Sequence, residues 1–306
     1  MFWQESFGMQ LEKFLSAEQF MLNAPMSEHT TFKIGGAADV LIFPSSAEEV
    51  SKIFKLVNLF SLPLTILGNG SNVLIRDKGI RGVVVKFTEK FFGKMRCDEE
   101  KVIACAGAEL KSVSDFAVEN SLTGLEFACG IPGSIGGAIF MNAGAYGSEM
   151  KNIVSKVKAV ALSGDILEFD KRDLDLSYRH SIFQENNYAI CEVELNLRRG
   201  NVDDIKNKIA DFTRQRESKQ PLEFPSAGST FKRPEGNFAG TLIDKTGLKG
   251  LQIGGAMVSE KHAGFVINAG NATAQDVLNL IEEVRRRVEE VYGITLSPEV
   301  RIIGEE

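Results

Sequence analysis

The chain has 306 residues, of which 43% are hydrophobic and 25% are charged, a composition typical of a globular protein with more than one domain. Its formal net charge of −6 argues against nucleic acid as the main partner. No apolar run approaches the ~20 residues that a membrane-spanning helix needs. The acidic residues Glu5, Glu12 and Glu18 argue against a secretory signal, so we expect a cytoplasmic protein.

The cysteines and histidines follow no pattern of a metal site. No two cysteines have CxxC spacing, and the histidines are far apart in the sequence. We therefore expect free thiols in a reducing compartment and no bound metal. The residues concerned are Cys97, Cys105, Cys129, Cys191, His29, His180 and His262.

The first third of the chain predicts an N-terminal extension, 1–21, followed by an α+β unit over 22–88. The extension has helical character. A helix is predicted from Ser46, because Ser46 and Glu49 form a capping box and apolar residues follow at helical spacing. Two β-rich runs, LPLTILG and GVVVKF, come next and flank a glycine-rich loop.

A second α+β unit is predicted over 89–200. KVIACAGA indicates a strand and ELKSVSDFAVENSL a helix. KVKAVALSGDILEF predicts a hairpin with Ser163-Gly164 as its two-residue turn, and YAICEVELNL predicts a further strand.

The third predicted unit covers 201–306. It begins with a charged helix that ends at Pro221 and continues through a loop-rich section. A long helix then starts at its N-cap, Thr273, and ends at Gly293, with i,i+4 pairs Glu282–Arg286 and Glu283–Arg287 on its exposed side. EVRII predicts a final strand. The apolar face of the long helix consists of Val277, Leu280, Ile281, Val284, Val288 and Val291.

Two glycine-rich segments carry the clearest chemical signal, LGNGSNVLI at 67–75 and GIPGSIGGAIFMNAGAYG at 130–147. Neither has the lysine of a P-loop, and neither has the spacing of a GxGxxG dinucleotide fingerprint. Runs of small residues expose backbone N–H groups, which bind anions without a cation. The two segments therefore suit the two phosphates of one dinucleotide. Tight turns with close helix–sheet packing are the alternative that composition leaves open.

Six motifs, taken in order, resemble those of the UDP-N-acetylenolpyruvoylglucosamine reductase family. The resemblance covers nearly the whole chain from about residue 22. The motifs are HTTFKIGG at 29–36, LGNGSNVLI at 67–75, GIPGSIGGAIFMNAGAYG at 130–147, SYRHS at 177–181, PSAGSTFK at 225–232 and SPEV at 297–300.

The resemblance implies an α+β fold with a two-subdomain FAD-binding region of the vanillyl-alcohol-oxidase (PCMH) type. A C-terminal α+β substrate domain follows. It also implies non-covalent FAD, NADPH as the reductant, and a UDP-sugar enolpyruvyl ether as the substrate, with no obligate protein partner. The reduced flavin would pass hydride to the enolpyruvyl double bond, giving UDP-N-acetylmuramate for peptidoglycan synthesis.

Site residues follow from the same resemblance. Arg179 and Glu299 match residues that contact the substrate carboxylate, and Ser229 matches the proton donor. Substrate contacts are implied for Tyr178, Lys219, Lys232 and Arg233. FAD contacts are implied for Gly68, Asn69, Gly70, Ser71, Asn72, Gly133, Ser134, Ile135, Gly136, Gly137, Asn142, Ala143 and Gly144.

The chain departs from part of the family in two places. Arg233 stands where some members have asparagine. The segment after Arg179 lacks an insertion with a tyrosine that closes over the substrate, so the chain resembles the type II branch. An FAD-dependent sugar oxidase and a non-catalytic flavin-binding protein are the alternatives, and Cys129 keeps a covalent flavin open for the first of them.

Overall fold

The computed structural model describes residues 2–306. Within them the helices are α1 Phe2–Leu11, α2 Ala47–Leu59, α3 Glu89–Phe92, α4 Leu110–Glu119, α5 Ile135–Phe140, α6 Met150–Ile153, α7 Phe183–Asn186, α8 Val202–Lys219, α9 Ala239–Lys245 and α10 Ala274–Tyr292. The strands are β1 Phe20–Pro25, β2 Ala37–Ile42, β3 Leu64–Leu67, β4 Val73–Ile75, β5 Ile80–Lys86, β6 Met95–Asp98, β7 Lys101–Cys105, β8 Leu122–Thr123, β9 Gly144–Ala145, β10 Ser148–Glu149, β11 Val154–Val160, β12 Ile166–Asp170, β13 Ala189–Asn196, β14 Arg198–Arg199, β15 Ser226–Ser229, β16 Gln252–Ile253, β17 Ala256–Val258, β18 Phe265–Asn268 and β19 Arg301–Ile303.

The chain divides into two compact units, neither of which is a continuous stretch of sequence. Unit 1 contains the residues up to Leu22, Val40–Asn69 and Gly82–Gln215. Unit 2 contains Asn23–Asp39, Gly70–Arg81 and Arg216–Glu306. These units do not coincide with the four segments expected from the sequence, and that finer division remains a prediction.

Unit 1 is built on the antiparallel sheet β12-β11-β13-β7-β6. α5 packs against β7 and β13, and α2 packs against β11. Alternate residues of the central strands, such as Val157 and Val193, are fully buried in the core. β3 and β5 pair in parallel within the sheet β1-β2-β5-β3, and this pairing places Leu67 opposite Lys86. The residues before β1 also enter this core, since Phe7 and Leu11 are completely buried.

Unit 2 is built on the antiparallel sheet β15-β18-β17-β16, against which α10 packs. The predicted cap of α10 is confirmed, because the Thr273 side chain accepts a hydrogen bond from the Asp276 N–H and Gly293 follows in the left-handed conformation. The final strand, β19, pairs in parallel with β4, with Arg301 opposite Val73. β4 directly follows the first glycine-rich loop, so the end of the chain is fixed beside that loop.

Three local predictions are wrong. The turn between β11 and β12 is not Ser163-Gly164, because Gly164 N–H donates to the Ala161 carbonyl at 2.8 Å. That hydrogen bond makes Leu162 and Ser163 the two central residues of the turn. Gly164 follows them with φ 88°, a backbone conformation that favours glycine. Val291 is 60% exposed instead of lying on the buried face of α10. Glu282 forms its ion pair with Arg285 and not with the predicted Arg286, whereas Glu283 pairs with Arg287 as predicted.

No helix within residues 2–306 has both the length and the apolarity required to cross a membrane.

Candidate active site

The two predicted glycine-rich segments approach each other within unit 1. Ser134 is the N-cap of α5, and its hydroxyl oxygen accepts a hydrogen bond from the Gly137 N–H at 3.3 Å. Gly68 follows β3, and a Cβ atom at this position would lie only 2.5 Å from Ser134 Oγ. The end of β3 and the start of α5 therefore come together only because position 68 carries no side chain.

Several predicted FAD contacts of the second segment already have protein partners. The Ile135 N–H donates to the Ala108 carbonyl at 2.8 Å and the Gly136 N–H to the Ala106 carbonyl at 3.0 Å. Because the Gly137 N–H is bonded to Ser134, the expectation that Gly133 to Gly137 all offer N–H groups to a pyrophosphate is wrong for these three residues. Among the described residues, the N–H groups of Gly133 and Ser134 have no protein acceptor.

Gly136 and Ile135 also serve packing. A Cβ on Gly136 would lie 2.8 Å from the Ala106 Cβ, so glycine allows α5 to approach the end of β7. Ile135 is fully buried in the core of unit 1. This packing is what the tight-turn alternative predicts for these two residues, and their contact with FAD stays a prediction.

The Asn142 side chain connects segments within unit 1, and both of its amide hydrogens are already bonded. It is 2% exposed, and its Nδ2 donates to Glu149 Oε2 and to the Ser177 carbonyl, both at 3.0 Å. Its Oδ1 accepts from the Lys151 N–H at 2.9 Å. Both hydrogens of the amide predicted to contact the cofactor, and one lone pair of its oxygen, are thus used within unit 1. The next residues are similarly tied, since the Ala143 N–H donates to the Ala138 carbonyl and Gly144 pairs with Glu149 in β9–β10.

Arg179 lies in a tight turn of unit 1 that Asn142 helps to hold. Ser177 and His180 exchange backbone hydrogen bonds of 3.3 and 3.1 Å, and Arg179 between them has φ 56°, a left-handed conformation that is uncommon for arginine. Tyr178 is 57% exposed, and the Arg179 guanidinium carbon lies 5.3 Å from the centre of its ring. The two predicted residues therefore stand together on one turn.

The same turn brings His180 close to two carboxylates, a cluster that its sequence context does not reveal. His180 Nε2 lies 3.0 Å from Asp175 Oδ2 and 3.7 Å from Glu185 Oε1. Both acidic residues are exposed. Their spacing of five residues on each side of the histidine matches neither helix nor strand periodicity, so the sequence does not indicate this cluster.

Gly70 and the residues after it belong to unit 2, where they contact the HTTFKIGG motif. Gly70 has φ 70°, and a Cβ there would lie 2.7 Å from the His29 carbonyl oxygen. The Thr31 N–H donates to the Gly70 carbonyl at 3.2 Å, and the Thr31 hydroxyl donates to the Ser226 carbonyl at 2.7 Å. Thr31, which sequence reasoning did not select, thus ties two predicted motifs together.

Ser229 and Glu299 are neighbours in unit 2. Ser229 ends β15 and is exposed. The next residue, Thr230, accepts a hydrogen bond from the Glu299 N–H at 2.8 Å. Asn72 adds a second link, because its Nδ2 donates to the Glu299 carbonyl at 3.3 Å and its own carbonyl accepts from the Arg301 N–H at 3.0 Å. Three motifs far apart in the sequence therefore meet around Glu299.

The predicted substrate-binding cations are exposed residues of unit 2. Lys219 ends α8, and Lys232 donates its N–H to the Ser297 carbonyl at 2.8 Å. The Arg233 guanidinium carbon lies 3.9 Å from the centre of the Phe238 ring, a stacking distance that fixes its direction. Arg179 and Tyr178 belong to unit 1, whereas these cations, Ser229 and Glu299 belong to unit 2.

Two family models match the chain. The FAD binding domain matches residues 38–170, and the C-terminal domain of UDP-N-acetylenolpyruvoylglucosamine reductase matches residues 220–303. A UDP-N-acetylenolpyruvoylglucosamine reductase from Clostridium botulinum (strain 657 / Type Ba4) is 50% identical over 302 residues, covering 99% of this chain and 98% of the relative. One from Clostridium perfringens (strain SM101 / Type A) is 51% identical over 294 residues, covering 96% of each.

Solved structures give a consistent result. The crystal structure of UDP-N-acetylenolpyruvylglucosamine reductase (MurB) from Thermus caldophilus matches with a TM-score of 0.78 and 32% identity, covering 94% of this chain and 98% of that one. An alkyldihydroxyacetonephosphate synthase matches with a TM-score of 0.51 and 15% identity, covering 64% of this chain and 40% of that one. The second likeness shows the fold alone. The matches confirm the predicted fold class, an FAD-binding region followed by an α+β C-terminal domain.

Proposed function

Since this chain belongs to the UDP-N-acetylenolpyruvoylglucosamine reductase family, an FAD-dependent oxidoreductase family of peptidoglycan precursor synthesis, we propose that Arg179, Ser229 and Glu299 carry out its substrate reduction. When bound, FAD would supply the hydride-transfer chemistry between NADPH and the enolpyruvyl double bond of the UDP-sugar, and hydride together with one proton would give UDP-N-acetylmuramate. The observation that supports the residue roles is the meeting of the Asn72, Ser229 and Glu299 segments through main-chain hydrogen bonds in unit 2.

Arg179 is proposed to bind the substrate carboxylate. Reduction at the vinyl terminus leaves negative charge on the carbon next to that carboxylate, and the charge spreads onto the carboxylate oxygens. A guanidinium donates two parallel hydrogen bonds to such a group, so it stabilises the charge where it develops. The left-handed backbone of Arg179 supports this role, because strained conformations in proteins concentrate at functional sites.

Ser229 is proposed to donate the proton that completes the reaction. Its hydroxyl is a weak acid, so the assignment rests on the position of Ser229. Ser229 is exposed at the end of β15, and the next residue, Thr230, accepts the hydrogen bond from Glu299. Glu299 is proposed to act beside the same carboxylate, which requires that it be protonated or paired with an arginine.

The cofactor is proposed to lie against the two glycine-rich segments. The fit rests on the close approach of Gly68 to Ser134 and on the N–H groups of Gly133 and Ser134, which have no protein acceptor among residues 2–306. Asn69 and residues 70–72 continue the same loop. The exposed Lys219, Lys232 and Arg233 are proposed to bind the substrate diphosphate, and the exposed Tyr178 is also proposed to bind the substrate.

The cytoplasm is the proposed location, and small molecules are the proposed partners, with no nucleic acid, no membrane and no obligate protein. Four free cysteines support a reducing compartment, and the net charge of −6 argues against nucleic acid. The names of relatives at about half identity favour the reductase over a sugar oxidase.

Ser229→Ala tests the proton-donor role. We expect reduction of the flavin by NADPH to keep its rate, whereas oxidation of the reduced flavin by the enolpyruvyl substrate slows by about 10²–10⁴-fold. Anaerobic stopped-flow absorbance measures each half-reaction separately. Ser226→Ala, in the same strand, is the matched control and should leave both rates unchanged. Equal slowing of both half-reactions in Ser229→Ala would remove Ser229 from this role.

A further inference from the structure

Gln184 has no place in the roles above, yet its side chain binds two backbone carbonyls around Arg179. Its Nε2 donates to the Arg179 carbonyl at 2.9 Å and to the Phe140 carbonyl at 2.8 Å. An amide nitrogen has two hydrogens, so both are used. The first acceptor is the turn that carries Arg179, and the second is the last residue of α5.

The position of Gln184 is itself well fixed. It lies in α7 directly after Phe183, which is fully buried. The Phe183 ring packs edge-on against Phe169 with a centroid separation of 5.5 Å. A side chain anchored in this way holds its hydrogen-bond partners in place rather than following them.

The Arg179 turn needs this support. A left-handed backbone costs a residue with a Cβ about 1–2 kcal/mol, so Arg179 at φ 56° persists only where other bonds hold it. Asn142 holds the Ser177 carbonyl, and Gln184 holds the Arg179 carbonyl. Loss of the second bond weakens the hold on this conformation, and a relaxation of Arg179 to negative φ would change the direction of its side chain.

The second acceptor connects the turn to the glycine-rich helix. Phe140 ends α5, the helix that Ser134 caps at its other end. The Phe140 carbonyl also accepts from the Ser181 hydroxyl at 2.8 Å, so two side chains of the 181–184 segment bind it. Gln184 therefore fixes Arg179 relative to the helix that follows the proposed cofactor contacts.

The structure assigns Gln184 as a positioning residue for substrate reduction: its amide holds Arg179 in the left-handed conformation and ties the turn to α5. The assignment rests on the proposed role of Arg179. Gln184 contacts neither substrate nor cofactor in this scheme, so it acts through Arg179 alone. Its loss should weaken the steps that depend on the substrate carboxylate and leave the reduction of flavin by NADPH intact.

Gln184→Met tests the assignment, since methionine keeps the length of the side chain and removes both donors. We expect oxidation of the reduced flavin by the enolpyruvyl substrate to slow by about 10–100-fold, the scale of a small displacement of a reacting group. Calorimetric titration of the oxidised enzyme with the substrate should show weaker binding. Flavin reduction by NADPH should stay within about twofold of wild type. Gln275→Met, on the exposed face of α10, is the matched control and should change none of these.

Two further variants separate positioning from general damage. Gln184→Lys restores hydrogen donors at similar length and should recover most of the lost rate, which a merely structural defect would not do. In an Arg179→Ala background, Gln184→Met should cost nothing more, because its effect passes through Arg179. Additive losses, no rescue by lysine, or equal slowing of both half-reactions would each overturn the assignment. If Arg179→Ala itself leaves substrate reduction unchanged, the proposed role of Arg179 is what fails.

Discussion

Lys86 is a charged residue that the fold places in its interior. It is the last residue of β5, opposite Leu67, and only 6% of its surface is exposed. Burial lowers the pKa of the ammonium group to about 8, from 10.5. The sequence run GVVVKF predicted the strand correctly but not the burial of its lysine, because alternation in a strand buried on both faces does not separate inward from outward residues.

Lys86→Met should change how stability depends on pH. Because the folded-state pKa is the lower one, the folded protein loses this proton near pH 8 while the unfolded chain keeps it until about pH 10.5. The cost of burying the charge is thus complete below pH 8 and disappears as the pH rises to 10.5. Relative to Lys86→Met, wild type should gain up to about 3 kcal/mol of unfolding free energy over that range.

Denaturant unfolding of both proteins at pH 7 and pH 10 measures this gain. Lys245→Met, an exposed residue at the end of α9, controls for the loss of a lysine. A difference between wild type and Lys86→Met that does not vary with pH would contradict the prediction.

At the scale of elements, the start of α10 shows which contacts a sequence reveals. Thr273 and Asp276 form the predicted cap within four residues. Asp77 completes it, since its two carboxylate oxygens accept hydrogen bonds from the N–H groups of Ala274 and Gln275 at 2.8 and 3.0 Å. A negative charge here also favours the positive end of the helix dipole. Nothing in the sequence indicates that a residue so distant caps this helix.

Removing the Asp77 carboxylate should destabilise unit 2. Asp77→Ala leaves two helix N–H groups to water and should lower the free energy of unfolding by about 1 kcal/mol, the usual worth of an N-cap. Asp77→Asn keeps one acceptor oxygen and should lose less. Chemical denaturation followed by far-UV circular dichroism gives both values. Equal stability of Asp77→Ala and wild type would show that water replaces the carboxylate without cost.

The sequence predicts features that depend on interactions between neighbouring residues. It does not predict features that depend on residues far apart in the chain. Helix periodicity and caps are local, and they predicted α2, α8 and α10, whereas the fold class was implied by the family resemblance of the six motifs. Partners of single N–H groups are not local. The bonds of Ile135 and Gly136 to the end of β7 depend on packing, so their sequence pattern suits a phosphate-binding loop equally well. Gln184 was missed for the same reason, since its two acceptors lie 5 and 44 residues away, outside its own helix.

For the whole molecule, the discontinuity of unit 2 has the largest effect. The predicted substrate domain, 201–306, lacks two segments of that unit, Asn23–Asp39 and Gly70–Arg81. It therefore lacks the strand that pairs with β19 and the carboxylate that caps α10. In such a fragment β19 would be an unpaired strand edge, and the first N–H groups of α10 would lack the Asp77 acceptor. Both features disfavour folding, and an unpaired edge promotes aggregation.

A fragment of residues 201–306 should fail to fold by itself. We expect poorly dispersed amide resonances and no cooperative thermal transition, in contrast to the full chain. Nuclear magnetic resonance and circular dichroism of the purified fragment measure these properties. Well-dispersed resonances with a cooperative transition would show that the predicted boundary marks an independent domain after all.

The pairing of β19 with β4 also sets an order of events during folding. It joins residues that lie far apart in the sequence, so a long loop must close before the contact forms. Glu299 makes its bonds to Thr230 and Asn72 next to this pairing. Helices and hairpins built from local contacts can thus form first. The arrangement around Ser229 is complete only when the distant segments have met.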